Sequence, residues 1–413
     1  MFYYSVDGHI CCSPNGELPY EKIACPTRAD ALFYLMDRSA QNSRASFSPT
    51  CAGQLLAESE NASALNSTAL PQDETDAFLA ECIAADKVRA INLNHPRFTE
   101  LFTPAAPKRK ARINILALGD VGGTMLTGLR LLGGDVVDSI GICDLSPAMS
   151  ARWEIEANQI NYPWNYDSLP PVEVVTPEQL FDCDLFVFVA SKGIPPVGSG
   201  IKDVRMAQFE TNRKIAEHYA RMAREAHFKG LWCQVSDPID PLAKSAYLAS
   251  NTDENGVFDG KGLLPEQIQG FGLGVMNARA AYYAKKDEAR FGQFLTEGRA
   301  FGPHGKELVI ADSILHYNDA LSCELTEKVV TANLAVRELG FKPYVAPAMS
   351  SGAISLLLTL RGEWHYGSVF LGGAFMGCKT RMTAMGQQTE CLPLPDALYA
   401  RIQAAEAALH AIV

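Results

Sequence analysis

Residues 113–133 read INILALGDVGGTMLTGLRLLG, and residues 139–144 follow as SIGICD. The first stretch is a short apolar run, a glycine-rich turn and an amphipathic helical pattern; the second is another apolar run, ending in Asp144. A strand that breaks at a tight turn and enters a helix brings free backbone N–H groups and the positive helix end to one point, which suits a pyrophosphate. An acidic residue at the tip of the next strand accepts hydrogen bonds from an adenosine ribose and repels a 2′-phosphate. Together the two features predict an NAD site.

Outward from it, short apolar runs and helices alternate. Strands are predicted at 113–118, 138–143, 172–175, 184–190 and 231–235, with a helix over MAQFETNRKIAEHYARMAREA (206–226) between the last two. Fully apolar strands between amphipathic helices indicate a parallel sheet covered on both faces. A second part holds QIQGFGLGVMNARAAYYAKK, GRAFGPHGKELVIADSI, a long helix through LTEKVVTANLAVRELG and the strand-like YGSVFLGGAFMG. The closing PDALYARIQAAEAALHAIV reads as a helix whose Ala-rich stripe docks on the body, and NTDENGVFDGKG within 246–267 reads as a surface loop. The expected divisions are an N-terminal region over 1–110, a nucleotide-binding domain over 111–243 and a substrate domain over 244–413.

The N-terminal region differs in character. YYSVDGHICC suggests a strand or hairpin arm, RADALFYLMDRSA a short helix, and DAFLAECIAADKVRAINL another helix. SRASFSPT and SENASALNSTALPQDET are polar, and HPRFTELFTPAAPKRK is a Pro-containing connector. An accessory domain, an oligomerisation arm and a partly disordered extension all remain open for it.

With 413 residues and 47% apolar content the chain has room for two or three well-packed domains. A net charge of -11, with KRKAR (108–112) the only basic cluster, argues against nucleic acid as a partner. No run of eighteen uncharged apolar residues and no secretory pattern is visible, so neither a membrane span nor export is expected. The eleven scattered cysteines suggest free thiols in a reducing, cytoplasmic setting. Adjacent Cys11 and Cys12, with Cys25 and His9, fit no standard ligand spacing, so no metal is expected.

In order, GDVG, CD, DLFVFVASKGIPP, Arg205 seven residues before Asn212, SDPID, GFGLGVMNAR and GPHG resemble the lactate/malate dehydrogenase family over residues 113–413. The resemblance implies an α/β chain: a Rossmann-type parallel-sheet domain, then a mixed α+β catalytic domain, here with an N-terminal extension. It implies NAD as cofactor, a small carboxylate substrate and a homodimer or homotetramer. The cofactor loop would fall on Ala117, Gly119, Asp120, Val121 and Gly122, and the ribose on Asp144. His304 matches the proton donor and acceptor, and Arg279 and Arg205 match the substrate-binding arginines. Asn212, like Ser351 in MSSGAIS, is divided between the nicotinamide end and a plain helical role.

Four departures accompany the matches. Alanine stands at the first glycine of the loop, as Ala117. Met276 occupies the position of the Asp that orients the histidine, Asp237 replaces the Asn of the SNP motif, and Pro196 takes the place of the mobile-loop arginine. Three readings stay open. Asp237 replaces the lost carboxylate beside His304 and keto/hydroxy-acid chemistry survives; or Asp237 faces nitrogen and the reacting bond is an imine or amine; or catalysis is lost and a nucleotide-binding scaffold remains.

Overall fold

The computed structural model describes residues 1–72, 76–103, 109–192 and 204–413, the side chains of 204–207 excepted. Two sheets organise it. Strands β1 (Phe2–Val6), β2 (His9–Ser13), β3 (Glu21–Ile23), β4 (Leu32–Met36), β5 (Ser46–Phe47) and β6 (Val88–Asn92) form a six-stranded sheet in the order β3-β1-β2-β4-β6-β5. Strands β7 (Ala111–Leu116), β8 (Val137–Cys143), β9 (Val172–Val174), β10 (Leu185–Phe188), β11 (Leu231–Gln234) and β12 (Ile268–Gly270) run parallel in the order β9-β8-β7-β10-β11-β12. That is the doubly wound nucleotide-binding order, with the direction of winding reversing between β7 and β10.

The same sheet continues past β12. A two-stranded ribbon of β13 (Arg299–Phe301) and β14 (Val309–Ala311) stands apart, while β15 (His365–Leu371), β16 (Ala374–Thr383) and β17 (Gly386–Thr389) join β12 antiparallel. The two C-terminal parts expected as successive domains thus share one nine-stranded sheet. Gly372 and Gly373 make the β15–β16 turn with φ of +58° and +89°, the paired left-handed conformation of a tight hairpin.

Why the central strands read as continuous apolar runs is plain from their burial. Phe186, Phe188 and Trp232 fill one face under Ala216, Ala220 and Ala223 of the helix Val204–Glu225. Ile113, Ile115, Ile140, Ile142 and Val187 fill the other, against Met125, Leu126 and Leu129 of the helix Asp120–Leu132. Alternate residues of each strand therefore enter different cores, and neither face tolerates charge. The closing helix Asp396–His410 docks as expected, burying Leu398, Ile402, Ala405 and Leu409.

Two local expectations are overturned. RADALFYLMDRSA holds no helix: LFYLM is β4, central in its sheet, between β2 and β6 and parallel to both. DAFLAECIAADKVRAINL splits into the helix Ala77–Ala84 and strand β6, reversing at Asp86 with φ of +53°. The surface loop expected within 246–267 is present, with residues 254–257 exposed; the first residues of the span finish the helix Ile239–Ser250, and Glu266 is half-buried, taking hydrogen bonds from the Ala45 and Ser46 backbone at 3.0 and 2.8 Å. Part of Lys108–Arg112 lies outside the described residues; Arg109 pairs with Asp184 at 2.5 Å and Arg112 with Glu173 at 2.6 Å, bracing the entry to β7. Cys11 and Cys12 face opposite sides of β2, in different cores. Among the described residues no helix is long and apolar enough to cross a membrane, and no three His, Cys, Asp or Glu side chains group as metal ligands.

Candidate active site

The turn after β7 is tight, because only residues 117–119 separate the strand from its helix. Ala117 takes a φ of +78°, so alanine follows the path expected of glycine. That costs a Cβ-bearing residue about 1–2 kcal/mol. Its N–H donates to the Cys143 carbonyl at 2.8 Å, which holds the turn against β8. Gly122 has no room for a side chain: a Cβ would stand 2.1 Å from the Ala117 carbonyl oxygen. Gly119 faces open space, with nothing within 4 Å of where its Cβ would be.

Asp144, just past β8, is held by the Leu118 N–H at 2.8 Å and the Ser146 N–H at 2.9 Å, one on each carboxylate oxygen. Each oxygen keeps a lone pair for a further donor. A helix N-terminus beside open space and a fixed carboxylate at the next strand end are what a dinucleotide requires, so these residues fit NAD. Asp120, in the first helical turn, would repel a diphosphate, but Lys342 Nζ sits 2.8 Å from it and supplies the opposing charge.

A cleft of about 920 Å³ gathers Asp120, Val121, Asp237, Asp240, Arg279 and His304. His304 lies in the turn after β13, and its Nδ1 is 3.0 Å from the Gly272 carbonyl oxygen. A carbonyl only accepts, so Nδ1 carries a proton and Nε2 is the atom able to exchange one. Among the described residues Nε2 has no partner. Gly272 permits the approach: a Cβ there would meet the Ile239 Cδ1 at 2.3 Å and the His304 Cβ at 2.8 Å. Ser351 donates to the same carbonyl at 2.8 Å and accepts from the Val275 N–H at 2.8 Å, pinning the turn between β12 and the helix Leu273–Lys286.

Arg279 projects from that helix, half-buried, and donates only weakly to protein: to Met276 Sδ at 3.6 Å and the Val329 carbonyl at 3.4 Å. Burial pulls its pKa down, while Tyr283 and the nearby Asp237 charge hold it up. Among the described residues no carboxylate pairs with it, and the exposed Asp237 carboxylate has no hydrogen-bond partner either.

Solved structures share this architecture. A minor L-lactate dehydrogenase from Enterococcus mundtii, determined in a ligand-bound form, superposes with a TM-score of 0.59 at 17% identity, covering 73% of this chain and 97% of that one. The fold is that of a lactate/malate dehydrogenase. The malate dehydrogenase of Picrophilus torridus gives 0.58 at 15% identity, over 74% and 96% of the two chains. That of Archaeoglobus fulgidus, in complex with NADH, gives 0.57 at 17%, over 73% and 98%. No protein-family model matches the chain, and no curated protein matches it in sequence.

Against this lactate/malate dehydrogenase-like fold, some expected positions come together and others do not. The His304 ring leans on the Gly272 carbonyl, so Asp237 is not its hydrogen-bonding partner. The carboxylate that reaches the His304 segment is Asp240, which accepts its backbone N–H. Asp240 is 3% exposed and also accepts the Ser368 hydroxyl at 2.5 Å. Asn212 is fully buried and spent on protein: its amide donates to Ser191 Oγ at 3.0 Å and the Asp237 carbonyl at 2.8 Å, and accepts from the Lys192 N–H at 2.9 Å. It therefore braces the Asp237 backbone. Arg205 falls in the first turn of the helix Val204–Glu225, with its side chain outside the described residues, as is the segment 193–203 that includes Pro196.

Sequence reading passed over Asp240; the available signal was the second acid of SDPID, three residues after Asp237 and in the first turn of the helix Ile239–Ser250. Burial lifts its pKa to about 7, the Ser368 and His304 hydrogen bonds oppose the rise, and the Asp237 charge adds to it. A carboxyl with a folded pKa above its unfolded value binds its proton more readily when folded. Its contribution to stability is present below the unfolded pKa of 3.8 and is lost as pH rises to about 7. Asp240→Asn removes that titration. The stability difference from the parent should therefore grow in the variant's favour between those pH values, by on the order of 4 kcal/mol. Urea unfolding of both proteins across the range tests this, and a flat difference would show that Asp240 does not titrate there.

Proposed function

We propose that the chain is an NAD(H)-dependent oxidoreductase that interconverts a 2-keto acid and a 2-hydroxy acid. One observation carries the reading: an imidazole nitrogen without a partner and a guanidinium without a carboxylate partner, among the described residues, face one cleft, which reaches the glycine-rich turn. NADH, when bound, supplies the hydride for the carbonyl carbon. Arg279 takes the substrate carboxylate through two parallel N–H donors, which selects the face of the carbonyl presented. His304 Nε2 gives its proton to the carbonyl oxygen, and the Gly272 carbonyl keeps the ring oriented throughout. In the reverse direction Nε2 receives the hydroxyl proton. A carboxylate behind the ring normally supports the imidazolium; here a neutral carbonyl dipole takes that place.

The free Asp237 carboxylate supports a second reading, in which the substrate bears nitrogen at the reacting carbon. Anionic Asp237 beside a developing alkoxide is unfavourable, whereas beside an iminium or ammonium it balances charge. Absorbance at 340 nm, following NADH oxidation over a panel of 2-keto acids with and without ammonium or an amine, separates the two. Turnover without amine supports the keto-acid reaction, and turnover only with amine moves the chain to imine reduction. NADH binding with no turnover anywhere favours a non-catalytic scaffold. Asp237→Asn sharpens the choice: it should leave keto-acid reduction equal or faster, and slow imine reduction about 10–100-fold if the charge is used.

A further inference from the structure

We propose that Cys51 and Cys391 form a reversible disulfide that fastens the N-terminal six-stranded unit to the C-terminal half of the chain. The two cysteines stand at opposite ends of the sequence but side by side in the fold: Thr50 and Gln54, on either side of Cys51, both bond Thr389, two residues before Cys391. The backbone around them is already held together. Thr50 Oγ1 donates to the Thr389 carbonyl at 2.9 Å, and the Ser48 N–H donates to the Gln387 carbonyl at 3.0 Å. Beyond the pair, the Leu392 N–H donates to the Leu65 carbonyl at 3.0 Å and the Ser67 N–H to the Leu392 carbonyl at 2.8 Å.

The pair can be reached from solvent. Cys11, Cys12, Cys82, Cys143, Cys233 and Cys378 are buried, whereas Cys51 and Cys391 are both partly open to solvent. The Cys391 thiol, and after it the Gln54 and Gly53 N–H groups, hold the Cys51 thiol below its ordinary range; the same contact pushes Cys391 up. Cys51 is therefore the attacking sulfur and Cys391 the resolving one.

With a low-molecular-weight disulfide as oxidant, the Cys51 thiolate attacks one of its sulfurs and releases one small thiolate, leaving a mixed disulfide on Cys51. Cys391 then gives up its proton and attacks the Cys51 sulfur, expelling the second small thiol. Two protein thiols are oxidised, and one small disulfide is reduced to two thiols.

The test treats the full chain with glutathione disulfide and maps its peptides without reduction. A Cys51–Cys391 cross-linked peptide, reversed by dithiothreitol, is expected, together with a higher Tm for the oxidised protein. Cys391→Ser should stop at a Cys51–glutathione adduct and show no Tm gain. Recovery of both cysteines as free thiols after the treatment, or of either one joined to a different cysteine, overturns the proposal. The parent map alone is decisive should the variant not fold.

Discussion

His304→Ala is expected to lower kcat by about 10²–10⁴, the range that a positioned general acid contributes. NADH affinity should stay unchanged, because the glycine-rich turn is built from other elements. Stopped-flow hydride transfer, with NADH binding measured by fluorescence, separates the two quantities. Equal loss of both would mean that the turn after β13 had collapsed. A kcat that survives would remove His304 from the proton path and with it the proposed reaction. Because Nδ1 is tied to a carbonyl, the ring has one exchangeable nitrogen and a single tautomer when neutral. An asparagine at the position should therefore not rescue turnover, since its amide cannot cycle a proton.

Arg279→Gln is the second large effect. A charge-assisted hydrogen bond contributes about 1.5–3 kcal/mol, and two are made to one carboxylate, so kcat/KM should fall about 10²–10⁴-fold. Arg279→Lys keeps the charge but loses the fork, and should recover only part of the loss. The protein itself loses little by either change, since among the described residues the guanidinium makes only a thioether contact and one long carbonyl contact. Unfolding curves of the variants should overlay the parent, and the kinetic loss should be largest in KM. A substrate lacking a carboxylate would respond weakly to both, which would turn attention from carboxylates to another substrate class.

Much of the nucleotide-binding half was legible from local pattern. The strands expected at 113–118, 138–143 and 231–235 are β7, β8 and β11 to within a few residues, because runs buried on both faces are mostly apolar, with Asn114 and Gln234 the buried polar exceptions. The short run LFYLM failed for the complementary reason. Five apolar residues have neither clear period, and only pairing with β2 and β6, supplied from distant chain, makes them a strand.

The site divides along the same line. Sequence by itself determined the glycine-rich turn, Asp144 at the next strand tip, and the presence of His304 and Arg279, since each sits in a local motif whose chemistry is carried by residue type and spacing. Tertiary structure alone decided that His304 is oriented by the Gly272 carbonyl, that Asp240 stands behind its turn, that Asn212 is a brace and that Cys51 meets Cys391. Those contacts join segments up to hundreds of residues apart. No spacing rule encodes them, because a hydrogen bond depends on where two atoms finish in space and not on the chain between them.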